Sequence, residues 1–244
     1  MGTYLWAERQ KLRRSNIVWL AVFATVMVAV IVFLGGQEVY DGSRNIDHAG
    51  WYMTTTQPWA TFLVLPAVIA LLGSYMICRE EQDDTVKSLR LIPINEGKLT
   101  AAKMMITFVF SVLIYLLLFA ITFSVEAMLH FSDLSAVMIL GFLKAYFLDG
   151  LAVFLAISPI VALVSHMKKS YWLGLVITEM FSFAGIFMSM SNTAKAVYPI
   201  TAVFTISSYY DASTSQVILS CISLLLCGCL SVFILKGLKH NEES

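Results

Sequence analysis

Ile17-Val-Trp-Leu-Ala-Val-Phe-Ala-Thr-Val-Met-Val-Ala-Val-Ile-Val-Phe-Leu34 runs for eighteen residues with a single hydroxyl and no charge. Coiled as a helix at 1.5 Å per residue it is about 27 Å long, close to the ~30 Å hydrocarbon core of a bilayer. A helix on the surface of a soluble domain would show a polar face, and this one has none. Outward from it, five more blocks of the same character occur at residues 59–78, 104–129, 146–165, 171–190 and 216–235. The 244 residues are 59% hydrophobic and only 13% charged, with 16 basic side chains against 16 acidic. Mean hydropathy is +0.79. These values exclude a disordered chain, a disulfide-stapled secreted domain and a basic nucleic-acid binder. The expectation is an all-α membrane protein: one transmembrane domain over residues 1–244 with six transmembrane helices.

Basic residues set the orientation. With the N-terminus inside, the cytoplasmic segments hold Arg9, Lys11, Arg13 and Arg14, then Arg79, Lys87, Arg90, Lys98 and Lys103, then Lys168 and Lys169, then Lys236 and Lys239. The outer loops hold only Arg44 and Lys195, with Lys144 at a boundary. Both termini are therefore expected in the cytoplasm. The first block has a basic flank, but Gly35-Gly36-Gln37 rather than a small-residue cleavage site follows it, so it reads as a retained span. Residues 135–145 read as an outer interfacial segment ahead of the fourth span. Lys144 can then snorkel outward while Asp149 lies just below the headgroups.

Two segments on the cytoplasmic side carry pattern beyond charge. In residues 1–16, Leu5, Trp6 and Leu12 share a helical sector among Glu8, Arg9, Lys11, Arg13 and Arg14, which predicts a short helix along the inner interface of the lipid bilayer. In the loop 79–103, acids come first (Glu80, Glu81, Asp83, Asp84) and bases follow (Lys87, Arg90), an order suited to a helix dipole. Pro93 stops this helix, and Asn95-Glu-Gly97 turns the chain toward the third span. Val86, Leu89, Leu91 and Ile92 leave an apolar face that nothing in the loop covers, so a partner protein is expected there.

Glu80-Glu81, Thr85-Val-Lys-Ser-Leu89, Ile92-Pro93-Ile94, Lys98 and Lys103 resemble the coupling loop of type-two ABC exporter permeases. Trp6-Ala-Glu8-Arg-Gln-Lys11-Leu12 resembles that family's N-terminal interfacial helix. The short permeases of bacitracin-resistance and lantibiotic-immunity transporters are the most similar in layout. The resemblance implies two permease chains, identical or paralogous, above two separate ATPase subunits that bind ATP and magnesium. This chain would then bind no cofactor of its own. Glu80, Glu81, Thr85, Val86, Lys87, Leu89, Ile92 and Pro93 would form the ATPase-coupling segment. Residues 196–210, apolar and broken at Tyr198-Pro199, would form a re-entrant outer element between spans five and six. The implied setting is a bacterial inner or plasma membrane. The implied work is export of amphiphilic peptide antibiotics or lipid-like compounds, giving resistance or immunity.

Enzymatic signatures are missing. No Gly-x-x-x-x-Gly-Lys-Ser/Thr loop and no Gly-x-Ser-x-Gly elbow occurs. Glu126-Ala-Met-Leu-His130 sets a carboxylate and an imidazole one turn apart without being a zinc helix, and reads as a pair that satisfies itself at the outer end of the third span. Cys227-Gly-Cys229 points its thiols to different sides of a helix, which suits neither a metal clamp nor a redox pair. No catalytic, metal-binding or nucleic-acid-binding residue is expected. Glu179 stands midway along the fifth block, where a charge costs several kcal/mol unless neutralised or hydrated. It reads either as a neutral acid bonded to a neighbouring helix or as a contact in the pathway or dimer seam; Ser182, Ala184, Gly185 and Ser189 on the same helix permit close packing. Two other classes compete with the permease: an ion-coupled carrier using Asp149, Glu179 and Lys144, and a non-transporting scaffold. Carriers show internal repeats, whereas here Pro159 has only a loose counterpart in Pro66.

Overall fold

The computed structural model describes residues 2–13, 15–40, 42–82, 96–164 and 171–242. The expected coupling helix, with Thr85, Val86, Lys87, Leu89, Ile92 and Pro93, lies outside the described residues, as do Lys168 and Lys169.

Helix α1 (Gly2–Arg13) precedes α2 (Asn16–Gly36), whose first turn is capped by Ser15 Oγ accepting from the Ile17 N–H at 3.3 Å. A two-stranded hairpin, β1 (Val39–Tyr40) and β2 (Ser43–Arg44), and a 3-10 turn at Asn45–Asp47 lead to α3 (Trp51–Leu63). Helix α4 (Leu65–Gln82) continues α3 after a 44° bend. The bend falls just before Pro66, which has no N–H to donate and crowds the preceding turn. Then come α5 (Glu96–Leu129), α6 (Ala136–Val164), α7 (Trp172–Met188), the short helices α8 (Asn192–Val197) and α9 (Pro199–Ile206), and finally α10 (Thr214–Glu242). Pro199 at the start of α9 separates it from α8.

Among the described residues, α2, α5, α6 and α10 are each long and apolar enough to cross a bilayer, and the bent pair α3–α4 can serve as a fifth crossing. At 17 residues α7 is apolar but shorter. Three boundaries differ from expectation. The second block begins at Trp51 rather than residue 59, because Thr54-Thr-Thr-Gln57 lowers the hydropathy of a turn that is nevertheless helical. The third helix starts at Glu96, two turns before the apolar run. The expected interfacial segment 135–145 is continuous with the fourth block, since α6 runs unbroken from Ala136 through Lys144 and Asp149 to Val164.

Helix α6 is the centre of the bundle. Of its most apolar stretch 61% is buried, against 28% in α2 and α5 and 17% in α10. It packs on α5, α10, α9 and α4. Gly150 allows the closest of these approaches: a Cβ there would lie 2.8 Å from Val112 Cα and 3.1 Å from Ser111 O. The outer helices turn large apolar side chains away from the protein, among them Trp19 and Phe23 on α2, Met180 on α7 and Phe233 on α10. That is the surface of a multi-pass membrane protein.

Candidate functional site: polar contacts in an apolar bundle

With no water in a hydrocarbon core, each polar group inside the bundle needs a protein partner. Three clusters of such groups stand out.

The first is at the centre. Asp149 of α6 is fully buried, and its Oδ2 accepts from Gln57 Nε2 of α3 at 2.6 Å. The same Gln57 nitrogen donates to Ser207 Oγ, just past the end of α9, at 3.2 Å. Asp149 Oδ1 is buried without a hydrogen-bond partner among the described residues. Around this trio, Tyr146 OH donates to Met53 O at 2.7 Å and Tyr52 OH to Ala29 O at 2.8 Å. The hydroxyls of Thr61 and Tyr115 meet at 2.8 Å, and Ser111 Oγ donates to Gly150 O at 2.7 Å. Helices α2, α3, α5 and α6 are thus joined by buried polar bonds, and polar residues therefore mark the faces turned toward protein.

The second cluster pins the loop between α2 and α3. Glu126, fully buried at the end of α5, accepts from the Gly50 N–H at 2.6 Å and pairs with His130 Nδ1 at 3.0 Å. His130 Nε2 contacts Asp47 O at 3.2 Å. The Glu126–His130 pair does meet, as its one-turn spacing requires, and it also holds the start of α3. Gly50 sits there at φ +83°, a left-handed turn with Met138 packed where a side chain would be. On the exposed side of this loop Arg44 bonds Asp47 at 3.0 and 3.3 Å, holding that carboxyl below its usual range.

The third cluster is at the opposite end. Helix α1 packs along α5, and Glu8 is buried with its carboxylate 2.6 Å from Lys11 Nζ. Glu8, Lys11 and Leu12 line a small groove with Tyr75, Met76 and Arg79 of α4. The expected common sector of Leu5, Trp6 and Leu12 is divided: the two leucines are half-buried, whereas Trp6 is 66% exposed. The reason is that Glu8, on the side of Leu5 and Leu12, turns into the protein. Lys103 of α5 is buried nearby in the sequence-predicted cytoplasmic region. Glu80 and Glu81 fall in the last turn of α4.

Glu179 is half-buried on α7, and its Oε2 is enclosed without a hydrogen-bond partner among the described residues. The small residues beside it serve packing within the chain: Gly174 abuts Ser74, and Gly185 abuts Phe62 and Ile200. Asp149 bonds Gln57 rather than Glu179, so no hydrogen bond joins the two span carboxyls among the described residues. Tyr198 donates to Phe181 O at 2.7 Å, linking α8–α9 to α7. Sequence reasoning missed Gln57, Ser207, Gly50 and Ser111, whose importance comes from partners far along the chain.

The profile of the ABC-2 family transporter proteins matches residues 4–185. The chain belongs to the ABC-2 transporter family. The match runs from α1 through most of α7, so it includes Gln57 and Asp149 and ends before α8 and α9. This ABC-2 permease is also 24% identical over 153 residues to the bacitracin transport permease protein BCRB of Bacillus licheniformis, covering 63% of this chain and 73% of that relative. Membership makes the chain a transport subunit, and the competing carrier and scaffold readings lose their support.

Proposed function

We propose that this chain is the membrane-spanning permease subunit of an ATP-driven exporter that removes amphiphilic peptide antibiotics or lipid-like compounds from a bacterial plasma membrane. The observation that carries the reading is the ABC-2 match across residues 4–185, with the bacitracin transport permease as support for the substrate class. In this reading α7 is the fifth of six spans and α3–α4 the bent second. Both termini and the 79–103 loop face the cytoplasm, in accord with the distribution of lysine and arginine. Helices α8 and α9 form a shallow re-entrant element on the outside, with Tyr198 and Pro199 at its break. Two separate ATPase subunits, carrying ATP and magnesium, dock on the coupling segment, and a second permease copy or paralogue completes the membrane portion. Glu179, with an enclosed and unpartnered oxygen, faces the pathway or the seam between permeases.

Susceptibility tests this directly. Deleting the gene should sensitise the producing cell to membrane-active peptide antibiotics, and the wild-type chain should restore tolerance while Leu89→Asp should not. Unchanged susceptibility across a panel of such peptides, with the permease present at normal level, would contradict the substrate class.

A further inference from the structure

Helix α9 is deeply enclosed for a short connecting element. Ile200, Thr201, Ala202, Val203 and Phe204 all have no exposed surface, although α8 and α9 belong to a connection between two spans. The approach of the α8–α9 pair is fixed by hydroxyl bonds at α8 and at the α8–α9 break. Ser220 and Ser223 of α10 donate to Ala196 O and Val197 O at 3.1 and 2.6 Å, and Tyr198 donates to Phe181 O of α7. Successive contacts of 192 with 216, 196 with 220 and 197 with 223 show α8 descending beside α10. Past α9 the chain reverses at Ser208, which has φ +63°, and the Tyr209 and Tyr210 N–H groups fold back on Phe204 O. The tip of this fold, Ser207, lies on the Gln57–Asp149 pair.

We infer that Gln57 and Asp149 are positioning residues that latch the tip of α9 against the seam between α3 and α6, and that the outward step of transport breaks this contact. The inference rests on the exporter reading above and on the outer placement of α8–α9. A polar latch has a property that apolar packing lacks. In a dry interior its hydrogen bonds are strong, and once water enters they exchange for bonds of similar strength. Asp149 Oδ2 and Ser207 Oγ both accept from the single Gln57 Nε2, at 2.6 and 3.2 Å, so one shared amide holds the tip to both spans. The two latch residues on the spans lie within the part matched by the ABC-2 family, and their partner on the tip lies beyond it.

The test uses the assembled transporter in intact cells, with Cys78, Cys221, Cys227 and Cys229 replaced and single cysteines introduced for reaction with an impermeant maleimide. Thr193→Cys, exposed near the start of α8, reports the outer placement, and Thr205→Cys, buried in α9, reports the latch. Thr193→Cys should react quickly in every background and Thr205→Cys slowly in the parent. Adding Asp149→Ala or Gln57→Ala should raise the Thr205→Cys rate about tenfold or more, the population change expected when a buried hydrogen bond to a carboxylate is lost. Asp149→Asn still accepts from Gln57 and should restore slow reaction, which a general loosening of the bundle would not do. Slow, parent-like labelling in both alanine variants overturns the latch. Absence of Thr193→Cys labelling from outside overturns the outer placement instead. Should Asp149→Ala fail to reach the membrane, Gln57→Ala alone decides.

Discussion

Helices α6 and α10 are both 29 residues long, and their most apolar stretches have hydropathies of 2.3 and 2.7. One is the core of the bundle and the other lies on its surface, with 61% and 17% of those stretches buried. Apolarity does not distinguish them, because in a bilayer lipid tails are as good a solvent for leucine as the protein interior. Polar side chains do. Helix α6 carries Tyr146, Asp149 and Ser158 on its buried side, whereas α10 confines its buried hydroxyls, Ser220 and Ser231, to a narrow stripe. In this protein the polar residues, rather than the apolar ones, show which way a helix faces.

The largest effect should come from crowding the core helix. Gly150→Val places new atoms against the backbone of α5, and overpacking of that kind costs about 1–3 kcal/mol or more. Gly228→Val on α10 meets only the flexible end of Leu155, at 3.3 Å, and should shift stability by no more than about 0.5 kcal/mol. Thermal unfolding in detergent measures both, and equal losses would erase the distinction between the two helices.

Removing the clamp on the α2–α3 loop should come next. Glu126→Ala leaves the Gly50 N–H without its acceptor, a loss of about 1–3 kcal/mol. His130→Ala removes a less buried contact and should lose about 1 kcal/mol. The same unfolding measurement applies. A larger loss for His130→Ala than for Glu126→Ala would show that the imidazole, not the carboxylate, holds the loop.

Glu179 sharpens the comparison on a helix of intermediate burial. Glu179→Gln keeps a polar head and should leave assembly intact with mild loss of export, while Glu179→Leu should impair export clearly. Equal tolerance of the two would mean that this face of α7 meets lipid alone. The smallest effects belong to the outward face of α10: Leu226→Ala and Phe233→Ala, both in exposed positions, should change stability by about 0.5 kcal/mol or less. A marked loss of assembled transporter from either would reveal that protein, rather than lipid, covers that face.

Much of the helical layout was legible because long uncharged runs admit few alternatives. The apolar blocks at 17–34, 104–129 and 216–235 all lie inside observed helices. Boundaries were less legible where polar residues are helical yet buried, as at Thr54-Thr-Thr-Gln57, since hydropathy treats them as loop. The Glu126–His130 contact could be read from its spacing within one turn. The Gln57–Asp149–Ser207 contact could not: its members are separated by 92 and 58 positions, and only the packing of α3, α6 and α9 brings them together. For α1 the shared sector of Leu5, Trp6 and Leu12 located the helix, but the buried Glu8 turns the Leu5–Leu12 side into the protein and leaves Trp6 exposed. The coupling segment rests on its sequence pattern and on family membership.

The central claim is that this chain works as the permease of a complex whose ATPase is a separate subunit. Affinity purification of the tagged chain from its native membrane, followed by mass measurement of the intact assembly, tests it most directly. The account predicts two nucleotide-binding ATPase subunits together with two permease chains, the second identical or paralogous. A transport-competent chain that purifies with no nucleotide-binding subunit would contradict it.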